Sequence, residues 1–371
     1  MTLADVLGGS AGPVVTRMVY ERRTLNYTFV DLLNAVISGS IQLDNDRAVV
    51  RTARFTIDPG ALPDDFDVAT DYIAPRMEVL VDGAFEAQAM GLFKLTKPKR
   101  TYESNGRQLW DVEAQDVTTE LLETRVEQPT AGGAAGVNVI TAIEARLDEL
   151  GLSHSLPATA HNLPETFIHA PGTDFLLIIN RMLQSINFHP IWADREGSMT
   201  SKERTDPFVA AADVTYQTVE PPRMVREPFR EIEERGRRPN KFVVLIDDPR
   251  RVPAFSLWEN ADPASPISTA NRSEDLAKLT GEDGGGMVIN TTVADEIAEY
   301  ELRDAAARVV QGDLNTAPDP RREPHEVYGL TIEDMVLGSP WLVLGWTLDL
   351  EAGVTMQHRM GRAVDISIVE V

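Results

Sequence analysis

The 371-residue chain predicts an α+β fold in which β dominates, and three observations carry that prediction. Apolar and polar residues alternate in 40–57, in 77–115 and again in 326–350, the period of half-buried strands. Apolar spacing of three and four, the helical period, is confined to a middle region and one later stretch. A small-residue run at 128–136 (QPTAGGAAG) and a charged, proline-bearing connector at 217–240 punctuate the chain. The expected domains are therefore a β domain over 1–127, a small α+β domain over 128–216, and a second β domain over 217–371 with one long helix and a loop insertion near 250–290.

In the first domain, 14–20 reads as a strand and 27–37 as a short helix or turn with Phe29, Leu32, Leu33 and Val36 inward. Strands at 40–43 and 47–57 flank an Asp44-Asn45-Asp46 turn, and Asp58-Pro59-Gly60 stops the second. Strands at 77–81 and 85–97 flank Asp82-Gly83. Asn105-Gly106 then joins 89–97 to 108–115, because both central residues of a tight hairpin turn need positive φ. On the last of these strands Trp110, Val112 and Ala114 share one face, and Asp111, Glu113 and Gln115 the other. Asp116 opens a short helix, VTTELLE.

The middle domain starts with Asn138 capping a helix striped by Ile140, Ile143, Leu147 and Leu150 and ended at Gly151. A second helix from near Thr173 carries Leu177, Ile178, Leu183 and Ile186 and runs into a strand at 188–193. In the last domain KFVVLI (241–246) is a buried strand, and 261–286 is a long loop. Thr292 with Asp295 resembles a capping box for a helix running to Gln311 and closed by Gly312, with Glu299 and Arg303 paired outside. Strands follow at 326–332, 342–350 and 364–369, with 356–361 as a turn.

Composition narrows the function. The chain has 58 acidic and 35 basic residues, a net charge of −23 spread over all three thirds. Such a surface repels nucleic acid and anionic membranes. There is no cysteine, hence no disulfide framework and no thiolate chemistry. No signal peptide is visible, and no window approaches the ~20 apolar residues of a membrane span. The expectation is a soluble chain made in the cytoplasm, without membrane insertion.

Motifs for metal, nucleotide or nucleophilic chemistry are missing from the sequence. His154, His161 and His169 are seven and eight apart, not at helical ligand spacing. Gly284-Gly285-Gly286 reads as a loop, not a phosphate cradle. Asp111 and Glu113 could serve as a glycosidase pair but fit a solvated strand face better. Trp341 and Trp346 could stack on carbohydrate, but core or interface packing suits them better. The basic run Lys94, Lys97, Lys99 and Arg100 at a hairpin end could dock onto an acidic neighbour. No catalytic, metal or cofactor residue is expected.

Four segments in order resemble the tail-hub proteins of long-tailed bacteriophages, the baseplate hub of contractile tails and the N-terminal part of siphophage tail-associated proteins. They are SGSIQLDNDRAVVRTARFTI, WDVEAQDVTTELLE, NVITAIEARLDELGL with DFLLIINRMLQSINFHPIWADREG, and MVINTTVADEIAEYELRDAAARVVQ. The resemblance spans nearly the whole chain. It implies two tail-tube-like β-barrel domains flanking the small α+β domain, and a homotrimer forming a pseudo-sixfold ring in the virion. That ring would join tail tube and distal tail proteins to tip or fibre proteins and let phage DNA pass unbound. The channel wall is then sought at Asp111 and Glu113, with an acidic lumen. Two other readings compete: a carboxylate-dependent carbohydrate-active β-barrel, and a hexameric distal-tail or tail-tube protein.

Overall fold

Strand pairing draws early and late stretches of the chain into one sheet. The computed structural model describes residues 15–24, 27–102, 106–127, 131–218, 225–234, 238–246, 254–280, 288–332, 335–351 and 353–371. The fold is α+β and mainly β.

The N-terminal strands are β1 (Thr16–Arg23), β2 (Phe29–Leu32), β3 (Val36–Asp44), β4 (Arg51–Ile57), β5 (Tyr72–Val81), β6 (Ala84–Ala89), β7 (Phe93–Tyr102) and β8 (Gln108–Asp116). The β7–β8 hairpin is as expected, and Gly106 has φ +83°; Asn105 lies outside the described residues. Residues 29–32 form a strand, not the helix or turn expected. Phe29 and Leu32 are exposed there, whereas Leu33 and Val36 are buried. Pairing with β1 decides this, since 29–32 is too short for a stable helix of its own.

Helix α1 (Thr118–Glu123) follows β8 directly, as the sequence predicts. The Asp116 carboxylate accepts from the Thr118 backbone N–H at 2.9 Å and from the Arg51 backbone N–H at 3.2 Å. The middle unit holds β9 (Ala131–Gly133), α2 (Val139–Glu149), β10 (Phe167–Ile168), α3 (Phe175–Gln184), β11 (Trp192–Ala193) and β12 (Met199–Thr200). Asn138 caps α2 through Ile140 N and Thr141 N, as expected. Asp174 caps α3, and of the expected stripe only Leu177 faces solvent. Its apolar core also takes in Tyr72, Val117 and Leu121 from the first stretch.

The remaining elements are β13 (Val214–Gln217), β14 (Val225–Glu233), β15 (Lys241–Ile246), β16 (Ala254–Asn260), β17 (Leu276–Leu279), α4 (Thr291–Ala307), β18 (Val310–Thr316), β19 (Val327–Ile332), β20 (Met335–Asp349), β21 (Met356–Arg362) and β22 (Ile368–Glu370). Several expectations are corrected here. The connector at 217–240 contributes a strand, β14. The long loop contains β17, and the run taken as a turn at 356–361 is β21, a central strand. Gly284–Gly286 lies outside the described residues.

The long helix stops at Ala307, and Asn290, not Thr292, caps it by accepting from Val293 N at 2.9 Å. Asp295 instead accepts from the Ser256 hydroxyl at 2.6 Å and from the Trp258 indole at 3.2 Å. Arg303 reaches Asp206 at 3.2 Å. Gly312 sits inside β18, where a Cβ would lie 2.7 Å from the Trp341 ring, so packing rather than helix termination selects glycine.

The main sheet has 14 strands on the path β14-β18-β21-β20-β3-β4-β8-β7-β5-β1-β2, with β13, β19 and β6 beside it. Among the described residues the path is open, ending at β14 and β2, so no closed barrel is formed within it. The antiparallel β20–β3 pairing, Gly345 opposite Asp44 to Asp349 opposite Ser40, joins the C-terminal strands to the N-terminal ones. One apolar core accordingly contains Leu43, Phe55 and Phe93 together with Trp341, Tyr328 and Met356. A separate sheet, β17-β15-β16-β22, buries one face against α4.

Candidate functional site: a polar face across the sheet

The pleat puts alternate residues on opposite sides of a strand, and register turns that local rule into an extended surface. Six central strands bury one side in the shared core. Their other side carries polar residues over the stretch where all six adjoin, and pairing aligns these into rows.

Between β18 and β8 one row carries no charge, and beyond them it is flanked by Arg226 on β14 and Lys94 on β7. Asn315 on β18 faces Gln357 on β21, and Gln357 faces Thr347 on β20. Thr347 faces Gln42 on β3, Gln42 faces Thr52 on β4, and Thr52 faces Gln115 on β8. Amides and hydroxyls thus cross six strands in succession.

The rows beside it alternate in sign. On one side Arg230, Asp313, Arg359, Gly345 and Asp44 follow one another. Gly345 leaves a gap over which the Arg359 guanidinium reaches the Asp44 carboxylate at 3.1 Å. The glycine is required, because a Cβ there would lie 2.4 Å from the Leu43 carbonyl oxygen. On the other side Asp349, Ser40, Arg54, Glu113 and Lys97 follow one another. Glu113 lies between Arg54 at 3.5 Å and Lys97 at 3.9 Å. One row further out, Asp111 faces Thr56 and Lys99 and accepts from the Thr56 and Thr101 hydroxyls, each at 3.3 Å.

The two outer rows and the one beyond hold five cations (Arg54, Lys97, Lys99, Arg230, Arg359) and five carboxylates (Asp44, Asp111, Glu113, Asp313, Asp349), a balanced set on a chain whose net charge is −23. Three open hollows of about 420, 830 and 330 Å³ lie along the face. Asp111 and Glu113 stand on this open ground, with half of the Glu113 side chain exposed.

The structure brings Asp111, Glu113 and Lys97 together and separates the other sequence candidates from them. Lys94 bonds Glu120 at 2.8 Å and Glu123 at 2.9 Å, so it fastens α1 to β7. Trp341 and Trp346 are buried, Trp341 edge-on to Phe229 at 5.4 Å between ring centroids, so neither forms a stacking platform. Arg100 lies over the Trp110 ring at 5.9 Å. His154 contacts Asp148 at 3.1 Å, and no group of metal-ligating side chains occurs among the described residues. Sequence reading missed Arg54, Arg230, Asp313, Arg359 and the neutral row. Alternation within single strands was the available signal, but it does not say which strands adjoin.

A buried joint lies on the opposite side of β4. Arg51 donates to Glu323 at 2.9 Å and to the Ala193 carbonyl at 3.3 Å, and Glu323 accepts from Arg195 N at 3.2 Å. Beside it His189 and His325 stack at 3.8 Å, edge-on to Tyr300 and Trp192 respectively. Burial pushes His325 down to about 3 and holds His189 well below the usual imidazole range. Burial raises Asp116 to about 6 and Glu326 to about 7.

This fold is that of phage and prophage tail proteins. The tail protein from Neisseria meningitidis superposes with a TM-score of 0.62 at 13% identity, over 93% of this chain and 96% of its own. A 43 kDa prophage tail protein from Shewanella oneidensis gives 0.62 at 10% identity, over 94% and 98%. A prophage tail protein from Listeria monocytogenes gives 0.55 at 9% identity, over 92% and 94%. No protein family and no curated protein sequence matches the chain.

Proposed function

We propose that the chain is a structural component of a bacteriophage tail, a hub whose homotrimer forms a pseudo-sixfold ring. In this reading the stretches 1–127 and 217–371 supply two tail-tube-like barrels per chain, completed by neighbouring copies, around the small domain 128–216. The ring joins tail tube and distal tail proteins to tip or fibre proteins in the virion. Its polar sheet face lines a channel through which phage DNA passes without specific binding, and no catalysis is assigned to it.

The observation that carries this reading is the polar face running unbroken across the β20–β3 joint, as one wall built from both β-rich stretches. The fold shared with tail proteins over nearly their full length supports it. So do the edges of the path. β2 pairs only β1 among the described residues and exposes Phe29, Val30 and Leu32, while β14 pairs only β18. Unpaired edges of this kind are used for pairing with another chain or are otherwise protected.

Mass measurement in solution with electron microscopy tests the proposal. The expected result is a trimeric ring with a central opening. A strict monomer at virion-like concentrations would sink it, and a hexamer would favour the distal-tail or tube reading. Glycan cleavage abolished by Asp111→Asn without loss of assembly would favour the carbohydrate-active reading.

A further inference from the structure

Asp44 holds the turn after β3, accepting from Asp46 N–H and pairing with Arg47, but the more exposed carboxylates of the polar face have no such purpose. Ion pairs as exposed as Arg54–Glu113 and Lys97–Glu113 contribute little to folding. Yet the cations of the charged rows stand opposite or beside carboxylates across the strands, five against five, and Lys94 at the end of the middle row is paired with Glu120 and Glu123. Charges that alternate at the strand spacing of about 4.8 Å produce a field that cancels within a short distance of the sheet. A duplex, with one negative charge per about 1.7 Å of axis, therefore meets neither a repulsive wall nor an adhesive one. Without the carboxylates, Arg54, Lys97, Arg359 and Arg230 would form a cationic strip beside the amide row, the kind of surface that neutralises phosphates and holds them.

We propose that Glu113, Asp111, Asp44 and Asp313 mask the cations of this face, making it a surface that accommodates a polyanion in transit but does not retain it. The masking is local, since the chain's excess negative charge lies off these rows. This inference rests on the reading of the face as a channel wall, and it assigns the lack of retention to paired charges, not to repulsion by an acidic lumen.

The test compares duplex DNA binding by three forms of the full chain. The first is wild type. The second is the face variant Asp44→Asn, Asp111→Asn, Glu113→Gln and Asp313→Asn. The third is a control with the same change in net charge elsewhere, Asp64→Asn, Glu86→Gln, Glu149→Gln and Glu370→Gln.

The face variant is expected to bind a random-sequence duplex at least tenfold more tightly than wild type. Its log–log salt slope should be about −2.7 to −3.6, as for three or four neutralised phosphates. The control should match wild type, and adding Arg54→Ala, Lys97→Ala and Arg359→Ala to the face variant should erase the gain. Equal gains in variant and control, or no gain in a face variant with wild-type circular dichroism and melting, would overturn the inference. Should the fourfold variant fail to fold, Glu113→Gln alone, at an exposed position, carries the comparison with a smaller expected gain. The two readings fail separately: no gain in a trimeric variant overturns the masking alone, whereas absence of a trimer in every form overturns the channel reading.

Discussion

Arg51 and Arg54 stand three residues apart on β4 and meet opposite fates. Arg54 points away from the core, with 78% of its side chain exposed beside a half-exposed Glu113. The Arg51 side chain is 2% exposed and joins three segments: β4 itself, β11 through Ala193, and the chain before β19 through Glu323. An odd separation on a strand places two side chains on opposite faces, so residue type says nothing about role here. The open face uses charge where solvent screens it. The buried joint uses charge where little water competes, and each partner depends on the other.

The contrast should be clearest in Arg51→Ala. Removing one partner of a fully buried pair costs about 3–5 kcal/mol; Glu323 is 26% exposed and keeps its bond from Arg195 N–H, so the loss should fall at or below the low end of that range. Urea unfolding measures it, and a loss no greater than that of a surface substitution would remove the joint from the account. Gly345→Ala attacks the seam between the two stretches. Its Cβ meets the Leu43 carbonyl at 2.4 Å, and overpacking of this kind costs about 1–3 kcal/mol. A wild-type melting temperature would show that β20 and β3 can part without loss.

Acid should act on the buried groups. His189, His325 and His358 are all lowered by burial, so below pH 6.5 the unfolded chain takes protons that the folded chain refuses. Stability therefore falls as pH drops. Asp116 and Glu326, raised to about 6 and about 7, oppose this because the folded chain binds their protons first. The lowered histidines, to which His169 adds, are expected to outweigh the raised carboxylates, so stability should fall as pH drops through roughly pH 6.5–4.5. Urea midpoints across that range check the slope, and Glu326→Gln should steepen it. The smallest effect belongs to the face itself. Glu113→Gln should change stability by less than about 1 kcal/mol, and a larger loss in a melt would mean that its ion pairs are structural.

The fold was legible wherever a signal was local. The β7–β8 hairpin, the Asn138 cap, the Asp116 entry to α1 and the KFVVLI strand all follow from residues within a turn or two of each other. Misreadings arose where a distant partner overrode the local pattern. Residues 29–32 became a strand because β1 offered its edge. The run 356–361, polar at alternate positions and holding a glycine, is central because β18 and β20 flank it. Asp295 was drawn from helix capping by the Ser256 hydroxyl.

The sequence by itself determined that Asp111, Glu113 and Gln115 share one side of a strand, since the pleat is a property of each residue and its neighbours. It also fixed the net charge and the absence of cysteine chemistry. Only the tertiary structure decided that Gly345 lies opposite Asp44, which aligns strands from early and late stretches of the chain and turns separate polar faces into one. Register depends on contacts between segments far apart in sequence, and alternation within a strand carries no record of its neighbour.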